Sequence, residues 1–506
     1  MNYSLHDVNC ISTSDSISLY WNKEEDIPED SLYGLFMDGN LVGTTKKTHY
    51  TFEHLKEACD YQVQVVIDGP QSSRCFSEAL TVRTLPKKNR IDITKPPYLA
   101  VGDGKTMNTD KLQRAIDDCG QNEMVYIPEG VFLTGALRLH SDMELYLEEG
   151  AVLQGTEQVD DYLPRIPSRF EGIEMECYSS LLNLGYMDHN GGYNCCNVVI
   201  RGKGTIRSGG RVLARNVIES EKERLKDYLH SLGDKIKDYE KADTIPGRVR
   251  PRLVNMSNCQ NILLTGVSLE NGASWNVHMI YSDQIVTHNC TFRSEGVWNG
   301  DGWDPDSSTN CTIFNCVFHT GDDSIAIKSG KNPQGNKINR PSEHIKIFDC
   351  YSACGHGFTI GSEMSGGIND VAIWDCDVSH SLCGIEIKGT KKRGGFVRNV
   401  SVRNCATARI LFHSVDYNND GIGAPVPPVF EHCLFDGIKI SGEYYGEDNQ
   451  WHACRPIELC GFDESGYYVK DIVFSNIKIS GTNTKGDQTI ALKYCENITF
   501  KNICAD

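Results

Sequence analysis

Apolar and polar residues alternate in short runs along most of this chain, and each run stops at a turn residue, which predicts strand after strand. Ile17, Leu19 and Trp21 share one strand face. Tyr33 to Val42 reads as a hairpin about an Asp38-Gly39 turn. Tyr61–Val66 and Ala79–Thr84 complete a small β-sandwich over residues 1–86, and the Pro-Lys-rich stretch 87–99 reads as a linker. The next segment departs from the two-residue period. Leu112, Ala115, Ile116 and Cys119 sit at helical spacing, so one amphipathic helix is expected there, closing the end of whatever follows. From Met124 the short strands return. Residues 216 to about 241 are charged and helical, and read as a surface insertion that could also wall a cleft.

A longer rhythm lies over the strands. Asn or Asp followed by Cys recurs at Asn289-Cys290, Asn315-Cys316, Asp349-Cys350, Asp375-Cys376 and Asn404-Cys405, steps of 26, 34, 26 and 29 residues between cysteines. One small inward side chain per repeat of this length predicts a right-handed parallel β-helix over residues 100–506, with the cysteines stacked as structural ladders. The fold class is therefore all-β, a sandwich followed by a solenoid.

Composition narrows the function. A chain of 506 residues exceeds one ordinary compact domain, which a repeat array explains. The formal charge of −18 argues against a nucleic-acid or anionic-membrane partner, so any anionic substrate needs a local basic cluster. The beginning Met1–Asp7 shows no basic-then-apolar leader, and no stretch is apolar enough to span a membrane. The 21 cysteines then read as reduced thiols of a cytoplasmic protein, without the paired C-x-x-C blocks of zinc sites.

The candidate chemistry lies between Asn299 and Lys388. Asp301 precedes the Asp322-Asp323 pair by about one coil, His356 follows by about another, and Lys388 by one more. On a solenoid these residues share one surface. Three clustered carboxylates suit glycoside hydrolysis by inversion, in which one carboxyl protonates the leaving oxygen and another activates water about 6.5–9.5 Å away. Crowding of like charges raises at least one carboxyl pKa. The stretch Asp301-Gly-x-Asp304-x-Asp306 also suggests a calcium loop, but it lacks the glutamate an EF-hand needs.

These phrases, Asn299-x-Asp301 with Asp304-Pro-Asp306-Ser307, Gly321-Asp322-Asp323, Gly355-His356-Gly357 and Ile387-Lys388, resemble the ordered motifs of glycoside hydrolase family 28, the polygalacturonase family. The resemblance runs from about Ala100 to the end of the chain. It implies Asp322 as general acid, Asp301 and Asp323 as holders of the attacking water, His356 beside the acid or the sugar, and Lys388 on a substrate carboxylate. It implies an α-linked, galacturonate-containing pectic oligosaccharide as substrate and no cofactor or metal. The sandwich, with its early Trp21 and the Leu55 to Tyr61 corner, resembles a fibronectin type III domain, an arrangement similar to the bacterial exo-acting branch. One position departs from the pattern: Glu386 stands where the family usually has arginine, with Lys391, Lys392 and Arg393 close enough in sequence to compensate. A neutral leaving sugar, as in rhamnogalacturonan, is the alternative. A pectate or rhamnogalacturonan lyase and a non-catalytic carbohydrate-binding β-helix remain as rivals.

Overall fold

The computed structural model describes every residue except 1–4, 6, 25–26, 29–30, 69–73, 239–243, 415–420, 447, 481–488 and 506. It divides into two compact units, residues 1–89 and 90–506.

The first unit is an antiparallel sandwich. Asn9–Ser12, Ile17–Tyr20 and His49–Phe52 form one sheet, and Asn40–Thr45, Tyr33–Met37, Asp60–Asp68 and Arg74–Phe76 the other. Ile17, Leu19, Trp21, Leu35, Val63 and Val65 meet between them. In the hairpin, Asp38 and Gly39 both have positive φ, 49° and 78°, the requirement of a type I′ turn. The linker expected over 87–99 gives way to a strand at Asn89. Asn89–Asp92 is a strand and Ile93 is fully buried in the second unit's core, because Ile91 and Ile93 alternate in the period of a strand.

The second unit is a right-handed parallel β-helix with three strands per coil. In one coil, Asp283–His288, Thr291–Arg293 and Trp303–Asp306 pair with Thr309–Phe314, Val317–His319 and Asp323–Ile327 of the next. The entrance helix α1 (Thr109–Asp117) lays Leu112, Ala115 and Ile116 on the first coils.

The Asn-Cys repeat has a conformational cause. Asn289, Asn315, Asp349, Asp375 and Asn404 all adopt left-handed φ between 49° and 56° at one corner, which Asn and Asp tolerate better than other non-glycine residues. The side chains of Asn315 and Asn289 hydrogen-bond at 2.5 Å along that column. The following cysteines turn inward, and Cys290, Cys316, Cys350, Cys376 and Cys405 are all buried. Beside them, His288, Phe314, Phe348 and Trp374 stack with ring centres 4.8, 4.9 and 4.4 Å apart, each pair adding about 0.5–1.5 kcal/mol beyond burial.

Helix α2 (Gly210–Leu232) begins six residues before the expected insertion. Its first turns bury Leu213, Ala214 and Val217, so the helix starts with an apolar anchor, and the charged run that marked it in the sequence begins only at Glu219. Residues 239–241 of the expected insertion lie outside the described residues.

Candidate active site

Four neighbouring strands of an 11-stranded parallel sheet carry the site: β1 (Trp303–Asp306), β2 (Asp323–Ile327), β3 (Gly357–Ile360) and β4 (Gly384–Gly389). Ile325 and Ile327 pair with Phe358 and Ile360, and these with Ile385 and Ile387, all pointing into the core. The alternate positions Thr359, Glu386 and Lys388 therefore face outward. Asp323 has the parity of the inward Ile325. A register shift frees it: Asp323 pairs with Gly357 while Ile325 pairs with Phe358, so Ser324 is an extra residue that re-aims the carboxylate outward.

The expected residues converge. His356 Nδ1 lies 2.8 Å from Asp322 Oδ1 and 3.5 Å from Asp323 Oδ1. Lys388 Nζ is 3.6 Å from Asp323 and 3.4 Å from Glu386. Asp301, Asp322, Asp323, His356, Lys388 and Arg393 line one cavity of about 210 Å³. A larger hollow of about 830 Å³, lined by Arg207, Arg211, Asn271 and Glu295, contains none of these groups.

The electrostatics separate the carboxyls. Burial pushes Asp301 up to about 8, reinforced by Asp322 and Asp323 and opposed by Lys328. Burial acts against Asp323 too, but Lys388 and His356 outweigh it and hold that carboxylate well below its ordinary range. The Thr359 hydroxyl also donates to Asp323 at 2.6 Å. His356 is desolvated, yet its hydrogen bonds to Asp322 and Asp323 push the imidazole up to about 11. Asp322 is the most open of the three, with 24% of its side chain exposed against 3% for Asp301 and 6% for Asp323.

Sequence reasoning missed the residue beneath them. Lys328 Nζ is buried, 3.2 Å from Asp301, 3.5 Å from Glu363 and 4.0 Å from Asp304, over the Trp275 ring at 4.6 Å. The signal was present: Ile325-Ala-Ile-Lys328 repeats the in-out phrase Ile385-Glu-Ile-Lys388. Glu363 and Trp275 carry no comparable signal. Arg250 braces the cavity wall; it donates to the side chain of Asn299 and to the carbonyl of Trp298, at 2.5 and 2.8 Å. Arg248 pairs with Glu171 at 2.7 Å. Glu171 and Asn299 line the cavity, so the excursion containing α2 returns directly to its wall.

Other expectations resolve differently. The glycines flanking His356 serve the fold rather than a ligand: a Cβ on Gly357 would lie 2.2 Å from the Gly384 carbonyl, and one on Gly355 2.5 Å from that of Asp322. Asp306 is held by Arg169 at 2.6 Å and His278 at 3.2 Å, away from the acid cluster. Of the basic trio, Lys391 pairs with Glu464 at 3.0 Å and Lys392 with the Gly421 carbonyl at 3.1 Å, and neither lines the cavity. Arg393 does line it, but is buried and donates to the Ser362 carbonyl and the Asn332 side chain, both at 2.9 Å. Glu386 is buried and ionised: desolvation is outweighed by Lys388 and by His413, whose Nδ1 lies 3.1 Å away.

Residues 192–420 match the model of glycosyl hydrolases family 28. The chain is 27% identical to an exo-poly-α-D-galacturonosidase of Dickeya chrysanthemi, over 96% of this chain and 88% of the relative. Among solved structures it resembles a family 28 exopolygalacturonase of Yersinia enterocolitica, with a TM-score of 0.80, 22% identity, and 100% and 97% of the two chains covered. It also resembles a hyperthermoactive exopolygalacturonase of Thermotoga maritima, with a TM-score of 0.65, 26% identity, and 83% and 92% covered.

Proposed function

Because this chain belongs to family 28 of the glycosyl hydrolases, we propose that it hydrolyses α-linked galacturonate chains from an end, with inversion. The observation that carries the reading is the convergence of Asp301, Asp322, Asp323, His356 and Lys388 on one cavity. The exo-acting relatives support release from a terminus.

The geometry divides the labour. Asp323, held ionised, accepts the proton of the attacking water, and Asp301, holding its own proton, hydrogen-bonds that water. His356 shares a proton with Asp322 across 2.8 Å, and Asp322, the most open carboxyl, passes it to the leaving oxygen. One proton goes to the leaving group and one is taken from water, so the site returns to its starting charge. Lys388 meets the substrate carboxylate.

Glu386 favours a second reading, a rhamnogalacturonan-type hydrolase of the same family. An ionised carboxylate 3.4 Å from Lys388 weakens the attraction a uronate would feel there, which favours a neutral sugar at that position. The sandwich's strand order and the Tyr61 hydroxyl, which accepts from the Lys56 amide at 2.9 Å as in a tyrosine corner, support a fibronectin type III-like module. Twenty-one free cysteines, five of them stacked in one column, support a reducing, cytoplasmic setting; enzyme found only in the culture supernatant would refute it.

The test is to incubate the protein, beside Asp322→Asn, with saturated oligogalacturonates and with rhamnogalacturonan oligomers, and to weigh the products. Single sugars carrying one added water, absent with the variant, support exo-hydrolysis and identify the sugar. Unsaturated fragments would mean a lyase and overturn the roles above.

A further inference from the structure

Three side chains of different donor type converge on a corner of the solenoid outside the catalytic cavity: Glu295, His319 and Cys354. Their ligating atoms all lie within 4.8 Å of one another, with Glu295 Oε1 3.7 Å from His319 Nδ1. Metal–ligand bonds of about 2.0–2.3 Å at tetrahedral angles put ligand atoms about 3.4–3.7 Å apart, and thiolate, imidazole and carboxylate together form a zinc-type donor set.

Coil stacking builds this column. Arg293 pairs with His319, and His319 with Cys354, so two donors come from the ends of stacked strands, and Glu295 from the turn two residues past Arg293 on the preceding coil. A register shift completes it. Phe318 pairs with Ser352 but His319 with Cys354, so Ala353 is an extra residue. Strict alternation would set the Ala353 methyl beside His319; the bulge sets the Cys354 thiol there instead. Glu295 also lines the 830 Å³ hollow, which gives an ion a route in.

We propose that Glu295, His319 and Cys354 form a divalent-metal site for a zinc-class ion, with the fourth position open to solvent. Burial, helped by Arg293 and opposed by Glu295, lowers the His319 imidazole and so favours the neutral, ligating form. Burial also keeps the Cys354 thiol protonated, so the Sγ–metal bond forms as that proton leaves to solvent. Arg293 is the cation the incoming ion must outcompete. The site braces the catalytic segments without joining the chemistry. His319 and Cys354 lead directly into Asp322 and His356, whose backbones are tied by the His356 amide donating to the Asp322 carbonyl at 2.9 Å.

The experiment is a cobalt(II) titration of the full chain followed by absorption, with the unfolding midpoint measured with and without zinc. One cobalt per chain with a thiolate-to-cobalt charge-transfer band is expected, and zinc should raise the midpoint. Cys354→Ser should lose the band and the zinc-induced shift while keeping the parent's metal-free midpoint, and His319→Gln should weaken binding at least tenfold. A parent without the band, or a band undiminished in Cys354→Ser, overturns the proposal. So would cobalt binding lost in His356→Ala but kept in His319→Gln, which would place the ion on the catalytic carboxylates.

Discussion

Asp301→Asn should abolish hydrolysis and yet make the folded protein more stable at neutral and alkaline pH. Asp301 holds its proton up to about 8 in the folded site, against about 3.9 for an unfolded aspartate. Between these values the folded chain retains a proton that the unfolded chain has released, so this group's contribution to stability falls as pH rises from about 4 to 8. Four pKa units correspond to a ceiling of about 5–6 kcal/mol. Asparagine keeps the shape and removes the titration, but it leaves Lys328 without the carboxylate now 3.2 Å away, with Glu363 still at 3.5 Å. The net gain should be about 1–3 kcal/mol at pH 8, shrinking to nothing near pH 4. Urea unfolding of parent and variant at pH 4, 6 and 8 measures it through the midpoints. If the two proteins lose stability in parallel as pH rises, Asp301 is not the strained carboxyl and the reasoning fails.

Four further changes probe the same site. Asp322→Asn should lower kcat about 100- to 10,000-fold with the unfolding midpoint nearly unchanged, since Asp322 is partly exposed; single-turnover product analysis checks this. Thr359→Val removes the 2.6 Å hydroxyl donor to Asp323. The ionised form loses support, so the acid limb of the kcat profile should move to higher pH by about one unit, and an unmoved limb would dissociate Asp323 from the base role. Glu386→Gln should lower KM for galacturonate oligomers by about threefold to tenfold without raising kcat, as Lys388 is released to the substrate; unchanged binding would refute its role as a repelling charge. Gly357→Ala drives a Cβ to 2.2 Å from the Gly384 carbonyl at a φ of 98°, so it should cost about 1–3 kcal/mol or more and disorder His356. A parent-like midpoint and activity would show that the glycine is not required.

The alternating pattern and the Asn-Cys rhythm were enough to give the β-helix, because each repeats a local conformation: a strand parity, then a left-handed corner that only a few residue types tolerate. The acids were legible for the same reason, since a spacing of one coil returns a side chain to the same face. The linker failed as an expectation because Ile91 and Ile93 carry too short an alternation to outweigh the prolines around it. Helix α2 was placed late because charge, rather than its buried Leu213, Ala214 and Val217, drew attention. What only the tertiary structure decided is which carboxyl keeps its proton. Three aspartates read alike in the sequence; Lys388 and His356 hold Asp323 ionised, burial beside a single lysine raises Asp301, and solvent reaches Asp322. Those differences arise from distances across coils and from the one-residue bulge at Ser324, which reverses side-chain parity without leaving a distinctive residue behind.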